Sequence, residues 1–252
     1  MTTVPSLWRL APVRPRLGEN EVHVWRADLD QPPATLQALF AILTEDERSR
    51  SARFCFARDA ERFVVARGLL RTILGLYLQE QPARLRFRYN AFGKPELSTP
   101  ADRQSLRFNI SHSQNQALFA LSSEWEIGVD IEYVREVFDM RELADCVFSP
   151  YEVSALRVLP AYEQTQAFFN CWTRKEAYVK ARGEGFSFPL DCFDVSLAPG
   201  EPAVLLSHRQ DPREMQRWSL CDLSSDSSYA SALVVESQYW RIQCWDWNNR
   251  LA

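Results

Sequence analysis

Apolar residues recur at intervals of three and four between Arg58 and Leu78, at Phe63, Val64, Ala66, Leu69, Leu70, Ile73, Leu74 and Tyr77. That spacing lays a continuous apolar stripe along one side of a helix, so a long core-facing helix is predicted there. Upstream, Val22 to Trp25 reads as a strand. Ala34 to Arg53 reads as a helix interrupted by a Thr44-x-x-Glu47 capping box, which starts a second turn. The pattern then changes to short apolar runs divided by turn residues, predicting strands over Arg84 to Tyr89, Leu106 to Ile110, Ala117 to Leu121 and Ile127 to Glu132, with Asn90 to Pro95 as a turn. The order then repeats. Helices are predicted over Tyr151 to Leu156 and Ala161 to Arg182, then strands at Phe193 to Leu197, Ala203 to Leu206, Trp218 to Asp222, Ala230 to Val235 and Tyr239 to Trp245. Helix followed by strands, twice over, predicts an α+β fold.

The bulk numbers narrow this picture. A chain of 252 residues with 46% hydrophobic and 25% charged positions is ordinary globular material, long enough for one large domain or two halves with apolar cores. No long linker, low-complexity tract or sequence repeat divides it, so any two halves must pack closely. A net charge of -4 argues against a protein that coats nucleic acid. The six cysteines form no Cys-x-x-Cys pair, which disfavours zinc and makes buried thiols the expectation. Met1 to Asn20 carries prolines and arginines where a secretory leader needs an apolar run, and no stretch approaches membrane-spanning length. A cytoplasmic protein without a membrane partner is therefore expected.

Four features could carry chemistry. In Ile127-Gly128-Val129-Asp130-Ile131-Glu132 the strand period of two sends Asp130 and Glu132 to one face and the aliphatic residues to the other. Paired carboxylates repel unless a cation such as magnesium sits between them, although a wetted acidic face on an edge strand reads the same way. Glu176 and Lys180, four apart, share a helix face. An ordinary surface ion pair would do so too, but Phe168, Phe169, Trp172 and Tyr178 favour a partly buried helix. Asn109-Ile110-Ser111-His112-Ser113 puts a histidine at a strand end in a serine-rich turn, whose N–H groups, hydroxyls and imidazole can hold an anion. A Ser/His nucleophile is disfavoured, since no Gly-x-Ser-x-Gly elbow is present. Finally, seven arginines (Arg48, Arg50, Arg53, Arg58, Arg62, Arg67, Arg71) stand against Asp59 and Glu61 between positions 48 and 71. Guanidinium forks suit a ligand with several phosphates; solvated helix charges would give the same pattern. Gly93-Lys94-Pro95 adds a cation on a rigid turn.

Taken in order, these pieces resemble one family along most of the chain. Arg53-Phe54 with Asp59-Ala60-x-Arg62, Gly93-Lys94-Pro95, Phe108 to Ser113, Ile127 to Glu132, Trp172-Thr173-Arg174-Lys175-Glu176-Ala177 with Lys180, and Gly185 to Asp191 are similar to the surfactin-synthetase-activating (Sfp) type of 4'-phosphopantetheinyl transferase. The resemblance implies two pseudo-symmetric halves, 1–124 and 125–252, each a small antiparallel sheet packed with a long helix, with coenzyme A in the cleft between them. It implies magnesium, with manganese as an alternative, on Asp130, Glu132 and Glu176. Coenzyme A would be held by Arg50, Arg53, Arg62, Gly93, Lys94, Pro95, Ser111 and His112, with Lys180 reaching the pyrophosphate. Which of Arg48, Arg50 and Arg53 meets the 3'-phosphate stays open, because Glu47 falls among them. Glu176, Lys180 and His112 would serve the reaction, Glu176 or a water beside it accepting a proton. The implied activity is transfer of the phosphopantetheine arm to a serine of an acyl or peptidyl carrier protein, releasing 3',5'-ADP, by a monomer. A phosphodiesterase removing that arm, or a non-catalytic coenzyme A or carrier-binding module, are the alternatives. Phe186 and Phe188 could meet the carrier, with core packing the expectation for at least one of them.

Overall fold

The structure, a computed structural model, describes residues 7–98, 106–136 and 139–247. Strands β1 (Trp8–Leu10) and β2 (Glu21–Asp28) come first, then helices α1 (Pro33–Ala41), α2 (Glu45–Ser51) and α3 (Ala57–Leu78). The break at Thr44 is real: the Glu47 carboxylate accepts from the Thr44 amide at 3.0 Å, so the capping box starts α2 as a separate helix. β3 (Phe87–Tyr89) and β4 (Pro95–Leu97) form a short hairpin, followed by β5 (Arg107–Ser113), β6 (Gln116–Ser122) and β7 (Ile127–Tyr133). The second half holds α4 (Met140–Val147), α5 (Pro150–Val158), α6 (Ala161–Arg182), β8 (Phe193–Val195), β9 (Leu205–His208), α7 (Glu214–Arg217), β10 (Ser219–Asp222), β11 (Tyr229–Val235) and β12 (Arg241–Asp246). No helix among the described residues is long and apolar enough to cross a membrane.

Two sheets form the centre of the molecule, in the orders β1-β12-β2-β6-β5 and β10-β11-β7. Strand alternation assigns each side chain to a layer. On β2, Trp25 and Ala27 join Phe119 and Leu121 of β6 beneath the apolar stripe of α3, which presents Val65, Leu69, Leu70 and Ile73. Their neighbours Val22, Val24, Leu118 and Ala120 turn the other way and meet Ile127, Val129 and Ile131 of β7 with Leu233 and Val235 of β11. The outer face of β11 then packs on Phe168, Ala177 and Tyr178 of α6. The layers therefore run helix, sheet, sheet, helix. The apolar residues between the sheets bury the inner face of each against the other.

Two expectations are corrected. The sheets were expected to be antiparallel, each confined to its own half, yet β12 lies between β1 and β2 and parallel to both. Parallel neighbours need a long crossover, and here nearly the whole chain separates β2 from β12. Burial explains the choice, since Trp245 and Trp247 of this segment pack at 6.5 and 5.9 Å from Trp25 in the α3 core. Likewise, Ser111-His112-Ser113 does not form a turn. β5 stays in register with β6 to the pair Ser113↔Gln116, and its polar side chains find partners across β7. Of the cysteines, Cys171, Cys192 and Cys244 are buried thiols as expected, whereas Cys55 and Cys146 are exposed.

What fixes α6 against β7 is a glycine. A Cβ on Gly128 would stand 2.0 Å from the Ala177 carbonyl oxygen and 2.4 Å from the Ala181 amide nitrogen, both helix backbone. Only hydrogen at that position lets the helix lie directly on the strand. The helix is anchored elsewhere by a fully buried ion pair, Lys175 Nζ to Glu152 Oε2 at 2.8 Å, with Lys175 also donating to the carbonyls of Leu190 and Phe193. Glu152 is meanwhile held by the Ser149 and Val195 amides. Each buried charge is thus paired and hydrogen-bonded, which burial of a charge requires.

Candidate active site

The contact at Gly128 sets the site, because Gly128, Asp130 and Glu132 share one face of β7 and α6 lies on that face. Asp130 is 3% exposed. Its Oδ1 accepts from Lys180 Nζ at 2.6 Å and from Ser111 Oγ at 2.8 Å, while Oδ2 is buried with no hydrogen-bond partner. Glu132 Oε2 accepts from Ser113 Oγ at 2.8 Å. Burial first, and then the charge of Asp130, pushes the Glu132 carboxyl above its ordinary range despite that hydrogen bond. Glu176 is raised as well, by burial and by the negative charges of Asp130 and Glu132, with Lys180 opposing. The three acids foreseen in the sequence are therefore electrostatic neighbours in one half-buried site.

The donor set suits a hard divalent cation, and an orphaned buried carboxylate oxygen is an atom that such a cation would satisfy. Among the described residues, no three His, Cys, Asp or Glu groups stand together as a metal cluster. The Lys180 ammonium supplies the positive charge against Asp130 instead. Lys180, expected to reach a pyrophosphate, here bridges Asp130 and Ser111.

Strand β5 divides its residues between two tasks by alternation. Phe108 and Ile110 face the α3 core, whereas Asn109, Ser111 and Ser113 turn to β7, whose other edge is already paired with β11. Asn109 Oδ1 accepts from the Val129 amide at 2.9 Å and Ser113 Oγ from the Tyr133 amide at 3.1 Å. Side chains thus satisfy backbone donors on the edge that lacks a partner strand. His112 is exposed at the rim. Desolvation by its surroundings, with the positive charges of Lys180 and Arg62, lowers its pKa below the usual histidine value.

The arginine run separates into distinct groups. Arg71, 1% exposed, donates to Glu47 at 2.7 Å and to the carbonyls of Pro82 and Leu85. Arg67 holds the other oxygen of Glu47. Glu47 is thereby a buried anchor between α2 and α3, and does not stand among ligand-facing arginines. Arg62 forks onto Asp30 at 2.8 and 3.1 Å, with Arg58 on the same carboxylate, which these guanidiniums hold below its usual pKa. Arg48 turns back to the Ala41 carbonyl and the Phe40 ring. Arg50 and Arg53 remain exposed, Arg50 over the Phe63 ring at 5.3 Å.

Gly93-Lys94-Pro95 is held by contacts within the fold. Gly93 has φ +87°, and the Asn90 side chain accepts from the Phe92 and Lys94 amides while donating to the Gly183 carbonyl after α6. Lys94 Nζ reaches Glu126 at 3.0 Å and the carbonyls of Ala181 and Ile127 at 3.0 and 3.4 Å. Those three partners occupy all three donors of an ammonium, so Lys94 fastens β7 to α6 in this arrangement. Phe188 is buried among Tyr178, Phe193 and His208, a core role; the side chain of Phe186 lies outside the described residues. Sequence reasoning missed Asn109 and Ser113 as partners of β7, and Asp30 and Glu126 as partners of the cations. The first two were findable, because period-two alternation puts Asn109, Ser111 and Ser113 on one face.

Comparison with known proteins matches residues 126–234 to the 4'-phosphopantetheinyl transferase superfamily and residues 25–124 to the 4'-phosphopantetheinyl transferase N-terminal family. The 4'-phosphopantetheinyl transferase HetI of Nostoc is 40% identical over 238 residues, 94% of this chain and 97% of that protein. A putative 4'-phosphopantetheinyl transferase of Synechocystis is 32% identical over 90% of this chain and 96% of its own length. The 4'-phosphopantetheinyl transferase Sfp of Bacillus subtilis is 31% identical over 70% of this chain and 76% of its own.

Proposed function

As this chain belongs to the 4'-phosphopantetheinyl transferase superfamily, we propose that it moves the 4'-phosphopantetheine group of coenzyme A onto a serine of an acyl or peptidyl carrier protein at the junction of β7 and α6. The observation that carries the site assignment is the buried, unpartnered Oδ2 of Asp130 beside two acids whose pKa values burial and mutual repulsion raise. Asp130, Glu132 and Glu176 would hold magnesium, or manganese in its place, and that ion would screen the pyrophosphate and polarise the phosphorus under attack. Lys180 has a long flexible stem and exchanges Asp130 for a pyrophosphate oxygen when coenzyme A enters. His112, Arg62, Arg50 and Arg53 take the phosphates at the nucleotide end, and Ser111 stands between them and the acids. Glu176, or a water beside it, accepts the proton of the carrier serine. The serine oxygen bonds to the β-phosphorus as the bridging P–O bond breaks, and 3',5'-ADP leaves with that electron pair.

The two 22-residue helices α3 and α6, each backing a sheet, support a reading as two pseudo-symmetric halves, 1–124 and 125–252, with coenzyme A in the cleft between them. Gly93, Lys94 and Pro95 then border the nucleotide end. A monomer in the cytoplasm, with neither nucleic acid nor membrane as partner, completes the proposal. Intact mass measurement of an apo carrier protein after incubation with enzyme, coenzyme A and magnesium tests it. A gain of one phosphopantetheine, abolished by a chelator, is expected; an unmodified carrier, or transfer indifferent to the chelator, overturns the reading. Holo carrier incubated with enzyme and magnesium should stay holo, whereas its conversion to apo would favour a phosphodiesterase. The named relatives all carry transferase names, the Synechocystis protein as putative, and support neither that activity nor a non-catalytic module.

A further inference from the structure

We infer that Ser113 is a positioning residue for the metal site, holding Glu132 in the orientation in which it ligates the cation; this rests on the reading of Asp130, Glu132 and Glu176 as ligands. Hydrogen-bond directions define its role. A serine hydroxyl has one proton to donate. Ser113 Oγ accepts from the Tyr133 amide at 3.1 Å, which fixes one side of the oxygen, and its proton points to Glu132 Oε2 at 2.8 Å. The hydroxyl is therefore locked between the backbone of the residue after Glu132 and the carboxylate of Glu132 itself. That leaves Oε1 as the oxygen not engaged by Ser113.

Three further observations make this a built arrangement. Ser111, two residues earlier on β5, makes the equivalent bond to Asp130 Oδ1, so successive serines address successive acids. Asn109 sets the register of that alignment through the Val129 amide. Lys180 bonds Ser111 and Asp130, whereas among the described residues Glu132 has no hydrogen bond or ion pair to a cation, so Ser113 is the side chain that orders it. Groups that hydrogen-bond ligating carboxylates and fix their orientation are typically worth about 10- to 100-fold in metal affinity. The Tyr133 amide lies at an exposed position where water can replace the hydroxyl, so its loss should cost the fold little.

The test is a titration of Mn2+ followed by electron paramagnetic resonance, with coenzyme A at a fixed saturating concentration, on wild type, Ser113→Ala, Ser113→Thr and Glu132→Gln. Ser113→Ala should bind Mn2+ about 10-fold more weakly. Ser113→Thr, which keeps the hydroxyl on a residue suited to strands, should restore most of that loss. The magnesium concentration for half-maximal transfer should rise in Ser113→Ala by the same factor as the Mn2+ dissociation constant. Glu132→Gln controls the underlying reading. If it loses Mn2+ while Ser113→Ala binds as wild type does, or if Ser113→Thr is as weak as Ser113→Ala, the positioning role is overturned and the metal site stands. If Glu132→Gln binds Mn2+ as wild type does, the metal site falls and the role of Ser113 falls with it.

Discussion

Gly128→Ala is the smallest change that should separate the two elements of the site. The added Cβ would lie 2.0 Å from the Ala177 oxygen, 2.4 Å from the Ala181 nitrogen and 2.9 Å from the Ala181 Cα. All three are backbone atoms of α6, so no side chain can rotate to make room. Ordinary contact at about 3.5 Å is reached only if the helix shifts off the strand by at least about 1.5 Å. Overpacking of this kind costs about 1–3 kcal/mol, and for a chain of this size each kcal/mol lowers the melting temperature by about 2–4 °C, so a fall of about 2–12 °C is expected. The consequence for activity should be larger than stability alone implies. Glu176 and Lys180 ride on the displaced helix while Asp130 and Glu132 stay on the strand, and a misplacement of about 1 Å in a reacting constellation costs about 100-fold. Thermal melting, together with steady-state transfer to an apo carrier protein well below the melting temperature, measures both effects. A Gly128→Ala protein with wild-type melting temperature and turnover would refute the claim that this contact positions the site.

Neighbouring residues of α6 should behave oppositely. Lys175→Met leaves Glu152 charged and unpaired in a fully buried position and should cost about 3–5 kcal/mol in denaturant unfolding, whereas Glu176→Gln should melt like wild type and lose carrier modification. The arginine run should divide the same way. Arg50→Ala with Arg53→Ala should weaken coenzyme A binding in calorimetry by roughly 10-fold or more while the fold is kept, and Arg71→Ala should unfold far more easily because it removes the buried guanidinium that ties Glu47 to the Pro82 and Leu85 carbonyls. Glu47 should also shape the acid limb of stability. Burial opposes its charge, but hydrogen bonds from Arg71, the Thr44 amide and Arg67 outweigh it and hold the folded-state pKa below the ordinary 4.5. Its contribution is therefore complete above that value and lost as pH falls through the depressed folded pKa; Glu47→Gln, melted across this range by circular dichroism, should show a flatter acid limb.

Long periodic segments of the fold were readable because burial dictates them. The α6 bounds Ala161–Arg182 coincide with the sequence reading, α3 begins one residue earlier than expected, and the Thr44 capping box separates α1 from α2 as expected. What escaped were features decided by distant partners. β12 gave a strand signal, but nothing local could reveal that it lies parallel to β2 between Trp8 and Trp25. Helix α4 escaped despite a local signal, since Met140, Leu143, Ala144 and Val147 recur at helical spacing and Met140, Ala144 and Val147 pack against the α6 core. In the proposed site, the shared face of Asp130 and Glu132 was legible from alternation and that of Glu176 and Lys180 from helical spacing. Their convergence depends on Gly128, whose importance is invisible until α6 is seen lying on it. The polar partners of Lys94 were hidden for the same reason, since Glu126, Ile127 and Ala181 meet only in three dimensions.

The most direct test of the proposed chemistry is a crystal structure of the protein with magnesium and coenzyme A. One ion should be coordinated by oxygens of Asp130, Glu132 and Glu176 at about 2.0–2.1 Å, with the pyrophosphate in the same sphere and Lys180 released from Asp130. A pyrophosphate bound away from β7 and α6, or an ion that leaves Glu176 uncoordinated while Lys180 stays on Asp130, would contradict it.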